Sequence, residues 1–71
     1  MIRYYCIKRP PAPGTVPHIE GDPWEGRSFP TRRYIPEIDS MVCGWVEYRE
    51  ELTPREIADY GLIRQPREVE G

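Results

Sequence analysis

Two cysteines and one histidine are the side chains in this 71-residue sequence that could bind a metal or act as nucleophiles. Cys6, His18 and Cys43 lie far apart, and no two cysteines have the close spacing that structural zinc sites use. Both cysteines fall in apolar, strand-like segments, whereas reactive thiols favour exposed, electropositive positions. If the two strands were neighbours a disulfide would be geometrically possible, although a reducing cytosol disfavours it. We therefore predict no metal site, no cofactor and no catalytic thiol.

Carboxylates are the other side chains that could do chemistry, as a paired general acid and base. Glu37, Asp39 and Glu47 are the candidates, but they fall on turn or strand positions where solvated charge is the simpler interpretation. A chain of this length also has little room for the closed pocket that enzymes use. The sequence therefore predicts a protein that is not an enzyme.

Arginine and tyrosine side chains are interleaved in the first half of the chain. Such residues in a small sheet can stack on bases and hold phosphates, and they are equally typical of protein interfaces. Residues 1–35 carry six bases and three acids, a net charge of +3, and residues 36–71 carry four bases and nine acids, a net charge of −5. Nucleic-acid binding would therefore require the acidic half to face away, and the dipolar layout suits a protein partner at least as well.

Three strands would position these residues. Ile2–Lys8 is rich in aromatic and β-branched residues, and Thr31–Ile38 is a second candidate. Pro36 cannot donate to a ladder, so the second strand must be an edge strand or a bulged one. Met41–Glu50 is apolar on both faces at its start, which predicts a central strand.

A proline-rich segment follows the first strand. In the APGT sequence, Pro13 and Gly14 have the residue types for the two central positions of a type II turn. Residues 18–30 are loop-like, with several glycine and proline breakers. A stiff arm loses little entropy when it docks, so we expect this arm to contact a partner.

The clearest local signal is a short helix near the C-terminus. Thr53 and Glu56 have the spacing of a capping box, with Leu52 and Ile57 as a hydrophobic staple. Gly61 is a natural stop. Beyond it, the apolar residues 62 and 63 would add a last contact or a short strand.

The predicted fold is a single small α+β domain. It spans residues 1–65 and has a three-stranded antiparallel sheet, one short C-terminal helix and a long proline-rich loop, followed by a flexible tail at residues 66–71. A core of this size rarely supplies more than about 3–5 kcal/mol without a disulfide, metal or partner, and a small core with an exposed edge strand is compatible with a homodimer. The sequence begins without a signal-peptide pattern and has no apolar run that could cross a bilayer, so we expect a cytoplasmic protein with no membrane partner.

Three motifs resemble a group of small proteins carried by phages and other mobile elements and labelled as related to defence against restriction. They are the N-terminal RYYCIKRPPAPGTVP, the GWVEY of Gly44–Tyr48 and the LTPREIADYGL of Leu52–Leu62. The resemblance implies a protein that acts by binding, as inhibitors that cover a working surface of restriction or CRISPR machinery do. An acidic second half could mimic nucleic acid, but a net charge of −2 favours a specific protein contact.

These observations lead to one functional hypothesis and one alternative. The hypothesis is a non-enzymatic accessory protein that binds a host defence protein, and the alternative is a nucleic-acid-binding module that uses the basic, aromatic N-terminal half. The residues expected to contact the partner are Tyr4, Arg9, Pro11, Pro13, Arg32 and Arg33.

Overall fold

A four-stranded antiparallel sheet and one short helix form the fold in residues 1–66, the part of the chain that the structure, a computed structural model, describes. The strands run in the order β2-β3-β1-β4 across the sheet. Their bounds are β1 (Ile2–Cys6), β2 (Glu25–Ile35), β3 (Ser40–Tyr48) and β4 (Leu62–Arg64), and the helix α1 is Pro54–Asp59.

The fourth strand corrects the predicted three-stranded sheet, and the fold is mostly sheet. Gly61 adopts a positive φ of 64° after the helix, which turns the chain back toward β1. β4 then pairs antiparallel with β1, so that Leu62 lies opposite Cys6. The short apolar segment after the helix is thus a strand because it pairs with the edge of β1 that is not paired with β3.

The second strand begins earlier than predicted, at Glu25 instead of Thr31. Gly26, treated in the sequence as a breaker, is required by packing, since a Cβ there would lie 2.7 Å from the Trp45 carbonyl oxygen. Pro36 is not in the strand: it starts the 3-10 turn Pro36–Ile38 that leads into β3. Pro30 is the proline that lies within the edge strand β2.

The prediction that the third strand is central is confirmed, because β3 lies between β2 and β1. The core has two clusters of buried residues. The larger one joins strand residues to the proline-rich loop and the segment before the helix (Tyr4, Cys6, Val16, Val46, Tyr48, Leu52 and Leu62), and the smaller one contains Tyr5, Ile35 and Val42.

The proline-rich loop packs onto the sheet. Its APGT turn forms as predicted, with the Thr15 N–H donating to the Ala12 carbonyl at 2.9 Å and Gly14 at φ 90°. Pro17 is buried, and its carbonyl accepts a 2.6 Å hydrogen bond from the hydroxyl of Tyr48. This arm therefore belongs to the core, and the fold requires it.

The far end of the loop is fixed by a buried carboxylate. Asp22 accepts hydrogen bonds from the backbone N–H groups of Arg49 and Glu50, each at 3.0 Å. These bonds favour the ionised form and lower the pKa of Asp22 below its usual value. The ionised side chain therefore ties the loop to the end of β3.

The helix begins with the predicted capping box. Glu56 N–H donates to Thr53 Oγ1 at 3.2 Å, and the Glu56 carboxylate accepts from Thr53 N–H at 2.8 Å. Thr53→Ala should lower the free energy of unfolding by about 1 kcal/mol in urea titrations followed by circular dichroism. Thr31→Ala, at an exposed position of β2, is the matched control and should change it by less than about 0.5 kcal/mol. Equal losses in the two variants would contradict the role given to the cap.

The predicted domain limit and tail lie at the C-terminal end of the chain. The flexible tail predicted at residues 66–71 lies outside the described residues except for Pro66, and the domain limit at residue 65 stays a prediction. Within residues 1–66, no helix has the length and apolar character needed to span a membrane.

Candidate functional site

Two of the six residues predicted to contact a partner serve the fold. Tyr4 is fully buried, and its hydroxyl accepts a 2.8 Å hydrogen bond from the N–H of Leu52. Pro11 is also buried, with its ring against Gly44 at the middle of β3. Their side chains hold the core and the proline-rich arm together, so we do not retain them as contact residues.

The other four predicted contact residues are exposed. Arg9 and Pro13 lie in the proline-rich arm, and Arg32 and Arg33 lie on the edge strand β2. A 3.4 Å hydrogen bond from Ser28 Oγ to the Pro11 carbonyl holds the arm beside β2. The two sets of residues are thus carried by neighbouring segments.

The antiparallel hairpin of β2 and β3 exposes an apolar pair beside these arginines. Tyr34 lies opposite Met41, and the two residues are 51% and 47% exposed. Phe29, partly buried, lies below Arg33. Arg33 and Phe29 lie on one face of this edge of the sheet, and Tyr34 and Met41 lie on the other. We call this edge, with both of its faces, the hairpin surface: Phe29, Arg32, Arg33, Tyr34 and Met41.

Two contacts fix the side chains of the hairpin surface. The Arg33 guanidinium carbon lies 4.3 Å from the centroid of the Phe29 ring, a cation–π stack. The Tyr34 hydroxyl donates a 2.5 Å hydrogen bond to Asp39 Oδ1, which raises the pKa of Tyr34. The side chains of Phe29, Arg33 and Tyr34 are therefore held in place before any partner binds.

Sequence reasoning included Tyr34 among the interleaved aromatics but missed the roles of Phe29 and Met41. The signal for the exposed pair is the position of Tyr34 beside Ile35, since neighbours in a strand face opposite sides. Ile35 is buried in the smaller core cluster. Phe29 could not be found in this way because it lies within the segment of β2, between Ser28 and Arg33, over which the register shifts.

Charge is neutralised unevenly over the described residues. The three described arginines of the acidic half each make an ion pair: Arg49 with Asp22, Arg55 with Asp59 and Arg64 with Glu51. By contrast, no ion pair within residues 1–66 involves the basic side chains Lys8, Arg9, Arg27, Arg32 and Arg33. Three of these cations, Arg27, Arg32 and Arg33, lie on the edge strand β2, whereas Lys8 lies beside Gly61 next to β4.

The acidic residues do not form one common face. Glu37 and Asp39 lie at the turn of the β2–β3 hairpin, whereas Glu56 and Asp59 belong to α1. The helix packs against β4, which is the sheet edge opposite β2. Within residues 1–66, the acids of α1 thus lie at the sheet edge opposite the basic strand and apart from Glu37 and Asp39, so the described acids form no continuous surface like that of a nucleic-acid mimic.

The two cysteines are free and buried, on the neighbouring strands β1 and β3. Cys6 lies opposite Gly44, so alternation along β3 directs Cys43 to the other face of the sheet. Burial raises the pKa of the Cys6 thiol to about 12, and the nearby Cys43 adds to the shift. This thiol is protonated at neutral pH and is a poor nucleophile.

The remaining candidate ligands and acids are dispersed. His18 is exposed, and its Nε2 atom lies 3.9 Å from Oε2 of Glu20. Glu47 forms an ion pair with Arg3, in which Oε2 lies 2.9 Å from Nη2. Among residues 1–66, no three histidine, cysteine or carboxylate side chains come close enough to hold a metal ion.

Comparison with known proteins relates the chain to one family. A family model described as Defence against restriction A C-terminal matches residues 1–67. The search of curated proteins found no match, and neither did the search of solved structures. The match covers the whole sheet, the proline-rich loop and the helix.

Proposed function

This chain belongs to the Defence against restriction A C-terminal family, and from that membership we propose that it counters host restriction by binding a protein of the restriction machinery. In this proposal it is a non-enzymatic accessory protein of a phage or mobile element and works in the host cytoplasm. It needs no cofactor, and the hairpin surface makes the contact.

The observation that carries the proposal is the composition of the hairpin surface. Aromatic residues, methionine and arginine are enriched at protein interfaces, and a few of them supply most of the binding energy. Here Tyr34 and Met41 form an exposed cross-strand pair beside Arg32 and Arg33. Surface aromatics that are already fixed lose little entropy on binding.

Binding of a purified host restriction enzyme to the immobilised chain tests the proposal. The double variant Arg32→Glu/Arg33→Glu should lose most of the binding seen with the natural chain, because two interface charges are reversed. Arg55→Glu, which reverses a charge on α1 near the opposite sheet edge, is the matched control and should bind normally. Circular dichroism checks that both variants fold.

Equal binding by the natural chain and the double variant would contradict the use of the hairpin surface. Absence of binding by the natural chain to any restriction enzyme of a host that the element infects would contradict the proposed function itself.

A second candidate function, nucleic-acid binding, is favoured by the unpaired cations of the N-terminal half. Lys8, Arg9, Arg27, Arg32 and Arg33 make no ion pair in the described part of the chain, and α1 with its acids packs at the opposite sheet edge. Phosphate-driven binding weakens log-linearly as the salt concentration rises. Fluorescence anisotropy measures the affinity for duplex DNA at 20 mM and 200 mM salt, roughly a tenfold difference in salt concentration. A steep loss of affinity between the two separates this function from the first.

A further inference from the structure

One arginine of the sheet makes a complete recognition unit with a ring and a carboxylate. The Arg3 guanidinium carbon lies 4.0 Å from the centroid of the Trp45 ring. Its Nε and Nη2 atoms donate to Glu47 Oε2 at 3.0 and 2.9 Å. The ring covers the flat face of the guanidinium, while the carboxylate takes the donors at its edge.

The hairpin surface repeats this unit without the carboxylate. Arg33 stacks on Phe29 at 4.3 Å, close to the distance between Arg3 and Trp45. Yet Arg33 makes no ion pair in the described part of the chain, and none of its side-chain donors is in a hydrogen bond there. The Phe29 ring holds the Arg33 guanidinium, and the N–H donors along its edge are unused. An anion in the plane of the guanidinium can therefore accept hydrogen bonds from them.

We propose that Arg33 on Phe29 is a preformed site for a glutamate or aspartate side chain of the partner protein. The inference rests on the proposed function and names the partner's chemistry: an acidic, folded surface whose carboxylate completes the unit at Arg33 as Glu47 does at Arg3. Arg32 and Arg27 add positive charge on the same strand.

The form of β2 argues that the partner contacts side chains instead of adding a strand. Pro30 has no N–H to donate, and the register shifts between Ser28 and Arg33. These two residues are five apart in β2, whereas their partners Gly44 and Val42 are two apart in β3. A proline, a bulge and exposed charges are the features by which edge strands resist pairing with another strand.

Local charge favours a carboxylate over a phosphate backbone. Asp39 is bonded to Tyr34 of the same surface, and Glu37 lies two residues away in the hairpin turn. A chain of phosphates along β2 would meet Glu25 at one end of the strand and Glu37 and Asp39 at the other, whereas one carboxylate contacts Arg33 alone. Phe29 packs against the core cluster of Tyr5, Ile35 and Val42, so Arg33 also has apolar surroundings that suit a protein side chain.

Side-chain NMR of the full chain tests the site with defined probes. Hexaglutamate should shift the Arg33 Nε–Hε resonance and leave that of Arg3 unchanged, because the edge of Arg3 is already occupied by Glu47. Arg33→Lys keeps the charge but removes the planar fork, and should weaken hexaglutamate binding by about tenfold. Phe29→Leu keeps an apolar side chain but removes the ring, and should weaken binding by about threefold.

Two controls and three outcomes make the test decisive. Hexaglutamine should not bind, and Arg55→Lys should bind hexaglutamate as the natural chain does. The proposal is overturned if Arg33 does not respond to hexaglutamate, if hexaglutamine is equally effective, or if duplex DNA binds at Arg33 more tightly than hexaglutamate does.

The enzyme-binding experiment separates this inference from the proposed function. If Arg33→Lys binds the restriction enzyme as tightly as the natural chain, the carboxylate site is wrong and the proposed function stands. If the natural chain binds no restriction enzyme while hexaglutamate still shifts Arg33, the proposed function fails and the site stands.

Discussion

Gly44→Ala is expected to remove most of the free energy of unfolding at room temperature. A Cβ at this position would collide with the Arg27 carbonyl oxygen of β2 and would lie 2.7 Å from Cδ of Pro11. Backbone is on one side and a rigid ring is on the other, so neither neighbour can yield cheaply. Overpacking of this kind costs up to about 3 kcal/mol, which is close to the whole stability of a core of this size, about 3–5 kcal/mol.

Urea titration followed by circular dichroism measures this loss, and Gly14→Ala is the informative control. Gly14 has a positive φ of 90° but has open space around its missing side chain, so alanine there meets only backbone strain. That strain costs about 1–2 kcal/mol. A loss at Gly44 no larger than the loss at Gly14 would show that the close approach of the arm and β2 is not essential.

Alkaline pH is expected to destabilise the protein through a single buried thiol. The pKa of Cys6 rises from 9.0 to about 12 on folding. Because the folded pKa is the higher one, this contribution is fully present below about pH 9 and is lost as the pH rises from 9 to 12. A pKa shift of about three units corresponds to a loss of about 4 kcal/mol in the free energy of unfolding. Burial also raises the pKa of Tyr48, which adds to the loss above pH 10.

The free energy of unfolding in urea, measured at pH 7, 9 and 10.5, tests this dependence (the pH values follow from the pKa range, roughly 9 to 12). Cys6→Ala should remove most of the decline between pH 9 and 10.5, relative to its own stability at pH 7. Cys43→Ala, which also removes a buried thiol, is the matched control and should retain most of the decline, because burial is the larger cause of the Cys6 shift and Cys43 the smaller one. Parallel pH curves for Cys6→Ala and the natural chain would contradict the assignment.

Local signals in the sequence predicted the elements whose ends are set by neighbouring residues. Thr53, Glu56 and Gly61 define the helix because capping depends on residues within one turn. Gly14 predicted its turn for the same reason. The apolar residues of β3 predicted its central place, since only a strand covered on both faces carries them on both sides.

The features that the sequence did not predict depend on contacts between distant segments. Gly26 and Pro30 are breakers by local preference, but β2 continues through both, because it pairs with β3 at Gly26 and again on either side of the shifted segment that contains Pro30. Pro11 and Tyr4 carry residue types common at interfaces, and their burial follows from the packing of the arm and of the segment before the helix. The exposed arginines of β2 were predicted because charge on an edge strand has no partner to bury it.

The central claim is that the hairpin surface is what this family member uses against restriction. The most direct measurement is the survival of unmodified phage in a restricting host that expresses either the natural chain or Arg32→Glu/Arg33→Glu at equal levels. We expect the natural chain and the Arg55→Glu control to raise survival, and the double variant to leave it at the level of cells without the protein. Equal protection by the double variant would contradict the claim.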